Sequence, residues 1–143
     1  NGGYKIKPSF NANDQFLFGE KIIQNDDHLK LIKDSLNVAT NEWRGTSYRS
    51  RLKGDLKYCG KTGTSQVRKI TQEQRDLNIK NKDLPWKYRD HSLFTGYGPV
   101  SNPEYAVSVI IDHGGSGSSK AAPISKKIMR KVFELYYQKE KNV

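Results

Sequence analysis

The chain has 143 residues, the size of one domain or of a part of a larger one. Hydrophobic residues make up 34% and charged ones 28%, a globular balance; Lys and Arg (25) exceed Asp and Glu (15) by 10, which favours an anionic partner without choosing among nucleic acid, acidic lipid and acidic polymer. A single cysteine, Cys59, excludes an internal disulfide, and no apolar run approaches the length of a membrane span.

Residues 1–25, with Gly2-Gly3, Pro8 and several Asn, read as irregular. Asp26 or Asp27 is placed to cap a helix. Leu29, Ile32, Leu36 and Ala39 recur at helical spacing, so a helix is predicted from about Asp27 to Asn41. Tyr48 to Lys57 is basic and polar, and Tyr58 to Ile70 suits a strand. Residues 71–90 are nearly all polar and read as a loop or an exposed helical excursion; the stretch 68–90 is expected to be a mobile insertion. Leu93 to Tyr97 and Tyr105 to Ile111 alternate on either side of the turn formers PVSNP, which predicts a hairpin over about 91–112. The glycine-serine stretch HGGSGSS (113–119) leads into a helix over about 120–139. Pro123 suits its first turn, and Ser118 or Ser119 could cap it. Ile124, Ile128, Val132 and Leu135 mark its inner face, with Met129 and Tyr136 beside it. Helix, strand, hairpin and helix give an α+β fold, an antiparallel sheet with packed helices.

The densest local signal is YCGKTGTSQV, residues 58–67. Gly60-Lys61-Thr62 could end a phosphate-binding loop, which requires a glycine five residues before Gly60. That position is Asp55, whose charge would oppose a phosphate, and the following residues suit a strand rather than a helix. The nucleotide reading therefore fails on spacing, charge and context. As a strand, alternation puts Lys61 and Gly63 on one face and Thr62 and Thr64 on the other. Lys61 supplies a cation, the hydroxyls can donate to a carboxylate, Gly63 admits a close backbone, and the Thr64 N–H could help stabilise an oxyanion. The bland alternative is a surface strand with a solvated lysine.

Lys61-Thr62-Gly63-Thr64 resembles the Lys-Thr-Gly element of the penicillin-binding proteins and β-lactamases. With RDHSLFTGYGP (89–99), NPEYAVSVIIDHGG (102–115) and GSSKAAPISKKIM (117–129) in order, the chain resembles the transpeptidase domain of the penicillin-binding protein 2 family, class B. Asn1-Gly2-Gly3 and Gly45-Thr46 fit the same order, and the resemblance is weakest at 11–25 and 68–88. It implies a peptidoglycan D,D-transpeptidase, with no metal or cofactor, that cross-links stem peptides and is acylated by β-lactams. It implies that Lys61, Thr62, Gly63 and Thr64 bind the substrate carboxylate and that the Thr64 N–H completes the oxyanion hole. It also implies cell-wall elongation partners and a place at the periplasmic face of the inner membrane.

The family's nucleophile lies in Ser-x-x-Lys, and a Ser-x-Asn element relays protons. Ser50 and Lys53 match the first, but too near Lys61; Ser9/Asn11 and Ser35/Asn37 match the second, but in the wrong order. All three read as chance, so the chain reads as the C-terminal part of a transpeptidase domain without its nucleophile, inactive alone. His28 reads as solvated, and His91 and His113 as locally hydrogen-bonded. Cys59 reads as a packed side chain, and Gly114, Gly115 and Gly117 as a structural turn. The competing function, a basic nucleic-acid-binding module, rests on the charge and the eight tyrosines and lacks a known motif.

Overall fold

The computed structural model describes residues 1–11, 18–54 and 56–140, with side chains to Leu135. Asp55 and Tyr136, which bear on two of the sequence readings, lie outside the described backbone and side chains respectively. The chain divides into two compact units, Asn1–Ser35 and Leu36–Val143.

In the smaller unit, β1 (Tyr4–Ile6) and β2 (Phe18–Lys21) pair antiparallel. The reading of residues 1–25 as irregular missed this pair: the strands are short and mostly exposed, so no alternation marks them. The Tyr4 and Phe18 rings hold it together edge-to-face at 5.9 Å. Helix α1 (Asp26–Asn41) follows. Its first turn is capped by Asn25, whose side chain accepts the Asp27 N–H at 2.8 Å, and not by Asp26 or Asp27.

The larger unit is built on one antiparallel sheet in the order β3-β4-β5. These are β3 (Cys59–Ser65), β4 (His91–Gly98) and β5 (Tyr105–Ile111), the last two forming the expected hairpin. Between β3 and β4 the polar excursion holds a short helix α2 (Gln72–Asp76) and 3-10 turns at Asn81–Asp83 and Trp86–Tyr88. Thr71 closes a capping box with Gln74 at the start of α2.

Helix α3 (Ala121–Glu140) packs on β4 and β5. Its buried residues are Ala121, Ala122, Ser125, Met129 and Phe133, which meet Tyr58, Phe94, Val107 and Val109 in the core. The predicted inner face is therefore rotated: Ile124, Ile128 and Leu135 are 42%, 43% and 49% exposed, and only Val132 of that set joins the core. The cause lies in the partner surface. β4 presents Gly96 and Gly98 among its buried residues, so small side chains on α3 let the backbones approach. Nor do Ser118 and Ser119 cap α3. Their hydroxyls turn back to Ser116, and the Ala121 N–H is taken by Ser92 of β4 at 3.1 Å.

Candidate functional site

β3 is the outer strand of its sheet, paired only with β4 among the described residues. The register sets Thr62 opposite Phe94 and Thr64 opposite Ser92, both buried residues, and Lys61 opposite the exposed Thr95. Facing residues share a side of the sheet, so the two threonines rise from the α3 side and Lys61 and Gly63 from the other, as alternation predicts.

The direction of the backbone groups follows from one contact. Thr40, the buried penultimate residue of α1, accepts the Gly60 N–H and donates to the Gly60 carbonyl, each at 3.0 Å. Asn41 donates to the Tyr58 carbonyl at 3.1 Å. Along a strand the N–H and C=O groups alternate sides. Tyr58 and Gly60 face outward, away from β4, and so therefore do Thr62 and Thr64. The end of α1 thus occupies the start of the edge, and the edge opens at Thr62. Lys61, itself exposed, bends its ammonium onto this edge, 3.0 Å from the Thr62 carbonyl and 3.4 Å from the Thr62 hydroxyl. The Thr62 hydroxyl in turn donates to Thr46 at 3.2 Å. A cation, hydroxyls and an outward N–H thus gather along a few residues of open strand, the groups a peptide carboxylate and an adjacent carbonyl oxygen require.

Sequence reasoning missed Thr40, and it placed Thr46 in a family block and Gly117 in a structural turn without giving either a contact to β3. Nothing in the sequence announces that the end of α1 docks beside β3. A Cβ on Gly117 would lie 2.5 Å from the carbonyl oxygens of both Gly63 and Leu93, so the loop after β5 lies across the β3–β4 pair and only glycine fits there. At Gly63 an added Cβ would meet Leu93 at 3.3 Å, a looser approach than at Gly117.

The remaining residues take plain roles. Ser50 is 2% exposed at the end of a 3-10 turn, Tyr48–Ser50, and its carbonyl accepts the Tyr58 hydroxyl at 2.9 Å. It neither starts an α-helix nor reaches solvent, so Ser50 and Lys53 are a chance match. The other matches fare alike: Ser9 accepts the exposed Asn11 N–H, and Asn37 accepts Asn41 on α1. His28 is exposed. His91 Nδ1 accepts the His113 N–H at 3.0 Å, and His113 Nδ1 lies 2.8 Å from the Arg89 carbonyl. Cys59 is buried, as a packed side chain, and forms no disulfide. Gly115, at φ +80, turns the loop and donates to the Asp90 carbonyl. Burial raises the Tyr58 phenol to about 12, and the adjacent Ser125 hydroxyl opposes that shift.

A family model for the penicillin binding protein transpeptidase domain matches residues 1–130. The peptidoglycan D,D-transpeptidase MrdA of Salmonella typhimurium is 32% identical over 104 residues, 73% of this chain and 16% of that protein. Its namesake in Haemophilus influenzae is 34% identical over 97 residues, 68% of this chain and 14% of that protein. The chain thus spans less than a fifth of the relatives it matches. Among solved structures, Helicobacter pylori penicillin-binding protein PBP2, in complex with MreC, superposes with a TM-score of 0.68 at 24% identity, covering 90% of this chain and 21% of that one. Pseudomonas aeruginosa PBP2, in complex with WCK 5153, gives 0.59 at 26% identity, covering 86% and 23%. The nucleic-acid alternative finds no support in these matches. The motif blocks, the three-stranded sheet with its edge strand and the match over residues 1–130 agree, and the chain belongs to the penicillin-binding protein transpeptidase domain family.

Proposed function

We propose that this chain supplies the substrate-carboxylate wall of a peptidoglycan D,D-transpeptidase whose nucleophilic serine lies in another part of the protein. The observation that carries the reading is the open edge of β3 from Thr62 onward, with Lys61 and the Thr62 hydroxyl beside it. A stem peptide lies along that edge as an added strand. Its terminal carboxylate meets Lys61 and the threonine hydroxyls, and its reacting carbonyl oxygen meets the Thr64 N–H. These groups bind and orient; the serine and its base complete acyl transfer to a second stem peptide. β-Lactams carry the same carboxylate and carbonyl and are read by the same edge. Cross-linking of stem peptides within the wall takes place outside the cytoplasmic membrane, and the reading puts the protein at that membrane's periplasmic face. A complex with an elongation partner, like that of H. pylori PBP2 with MreC, fits this role.

The test is amide chemical shifts of the labelled chain titrated with a diacetylated Lys-D-Ala-D-Ala and with its C-terminal amide. The acid should move the Thr62 and Thr64 amides, weakly and salt-sensitively, and the amide should not. Equal shifts from both ligands, or shifts confined to the far edge strand β5, would refute the reading.

A further inference from the structure

Beside the β3 edge runs a groove of about 700 Å³ between the segment 43–50 and the start of α3. Its cations are Arg49, Lys126, Lys127 and Arg130, and among the described residues no carboxylate lines it. Among the described residues none of these four is in an ion pair. The groove continues past Lys126 and Arg130 into a second one of about 440 Å³ that adds Arg51 and Lys53; among the described residues its one acid is Glu134, which lies 3.3 Å from Lys131.

The walls are built rather than loose. Ser47 is 2% exposed and bonds through both its N–H and its hydroxyl to the Ala39 carbonyl at 3.0 Å. The Tyr58 hydroxyl holds the Ser50 carbonyl. The Arg51 guanidinium stacks on Tyr48 at 3.6 Å. A fixed concave site loses little freedom when it binds. Trp43, 69% exposed, adds an apolar and hydrogen-bonding wall. Unpaired like charges held together in a groove attract a polyanion, and the concavity favours a single chain over a flat bilayer.

Spacing narrows the occupant. On α3, Lys126 and Arg130 lie one turn apart, about 6 Å along the axis. In an extended peptide, side chains on one face repeat every ~6.8 Å. We propose that this basic groove seats an extended acidic peptide segment of a partner protein, with carboxylates at alternate residues. The groove shares Thr46 with the β3 edge, so its occupant would lie next to bound substrate.

The experiment is fluorescence anisotropy of a labelled peptide of alternating Glu and Ala, with a Gln-for-Glu control, on the full 143-residue chain. The Glu peptide should bind at low salt and the Gln peptide should not. Lys127→Glu with Arg130→Glu should weaken binding by about 10-fold or more, since two attractive contacts become repulsive. The same charge change at the exposed Lys30 and Lys33 should alter it by no more than about 2-fold. If thermal unfolding shows the reversed pair misfolded, Lys127→Ala with Arg130→Ala should give a loss in the same direction. Equal losses from both pairs of sites would reduce the effect to net charge and overturn the proposal. So would tight binding to vesicles of anionic phospholipid with none to the peptide, which would assign the face to a lipid surface.

Discussion

Thr40 does for Gly60 what a neighbouring strand would do, accepting its N–H and donating to its carbonyl from one buried hydroxyl. Thr40→Val keeps the shape and strands both groups, so urea unfolding should show a loss of about 1–3 kcal/mol. A cost near zero would mean that water replaces the hydroxyl. Tyr58 gives a pH signature. Its phenol is ordinarily near 10.0 and stands at about 12 in the fold, chiefly through burial. A raised acid favours the folded state while it is neutral. Its contribution is therefore whole below the unfolded value and falls as pH rises from 10.0 to about 12. The loss should be at most about 3 kcal/mol and should vanish in Tyr58→Phe, read as the difference between the two stability curves. The strand placement of Lys61 to Thr64 and their alternate facing were legible from the string itself, because strand alternation needs only local order. Thr40 and Gly117 were not, because their roles depend on which distant backbone they touch.

At the level of elements, the hairpin was legible because β4 and β5 alternate between turn formers. The inner face of α3 was not, because large side chains were weighted and small ones ignored. Ala122 and Ser125 lie inward against a glycine-bearing strand, while Ile124 and Ile128 remain exposed. The start of α3 depends on Ser92 from β4, so Ser92→Ala should cost about 1 kcal/mol in thermal or urea unfolding. Ser118→Ala with Ser119→Ala should stay within about 0.5 kcal/mol, and the reverse ranking would return the cap to those serines. The excursion between β3 and β4 has no buried residue from Gln66 to Tyr88. Hydrogen exchange there should run far faster than in Tyr105–Ile111, and equal protection would contradict its reading as a mobile insertion.

For the whole molecule, the charge found its meaning in placement. A net +10 alone could not separate nucleic acid, lipid and acidic polymer; the proposed carboxylate site rests instead on the open edge at Thr62 with the Lys61 ammonium 3.0 Å from its carbonyl. The central claim is that this chain holds the substrate wall while another part of the protein holds the attacking serine. It is tested most directly by labelled penicillin, followed by denaturing electrophoresis and intact mass. This chain alone should carry no adduct, because Ser50, its Ser-x-x-Lys match, is buried at the end of a 3-10 turn and does not start an α-helix that would bring Lys53 onto it. A longer natural chain that contains an upstream Ser-x-x-Lys should label, and Lys61→Ala in it should slow labelling by about 100-fold, the scale of a lost charge-assisted hydrogen bond to the ligand carboxylate. A stoichiometric adduct on this chain, abolished by Ser50→Ala, would contradict the account.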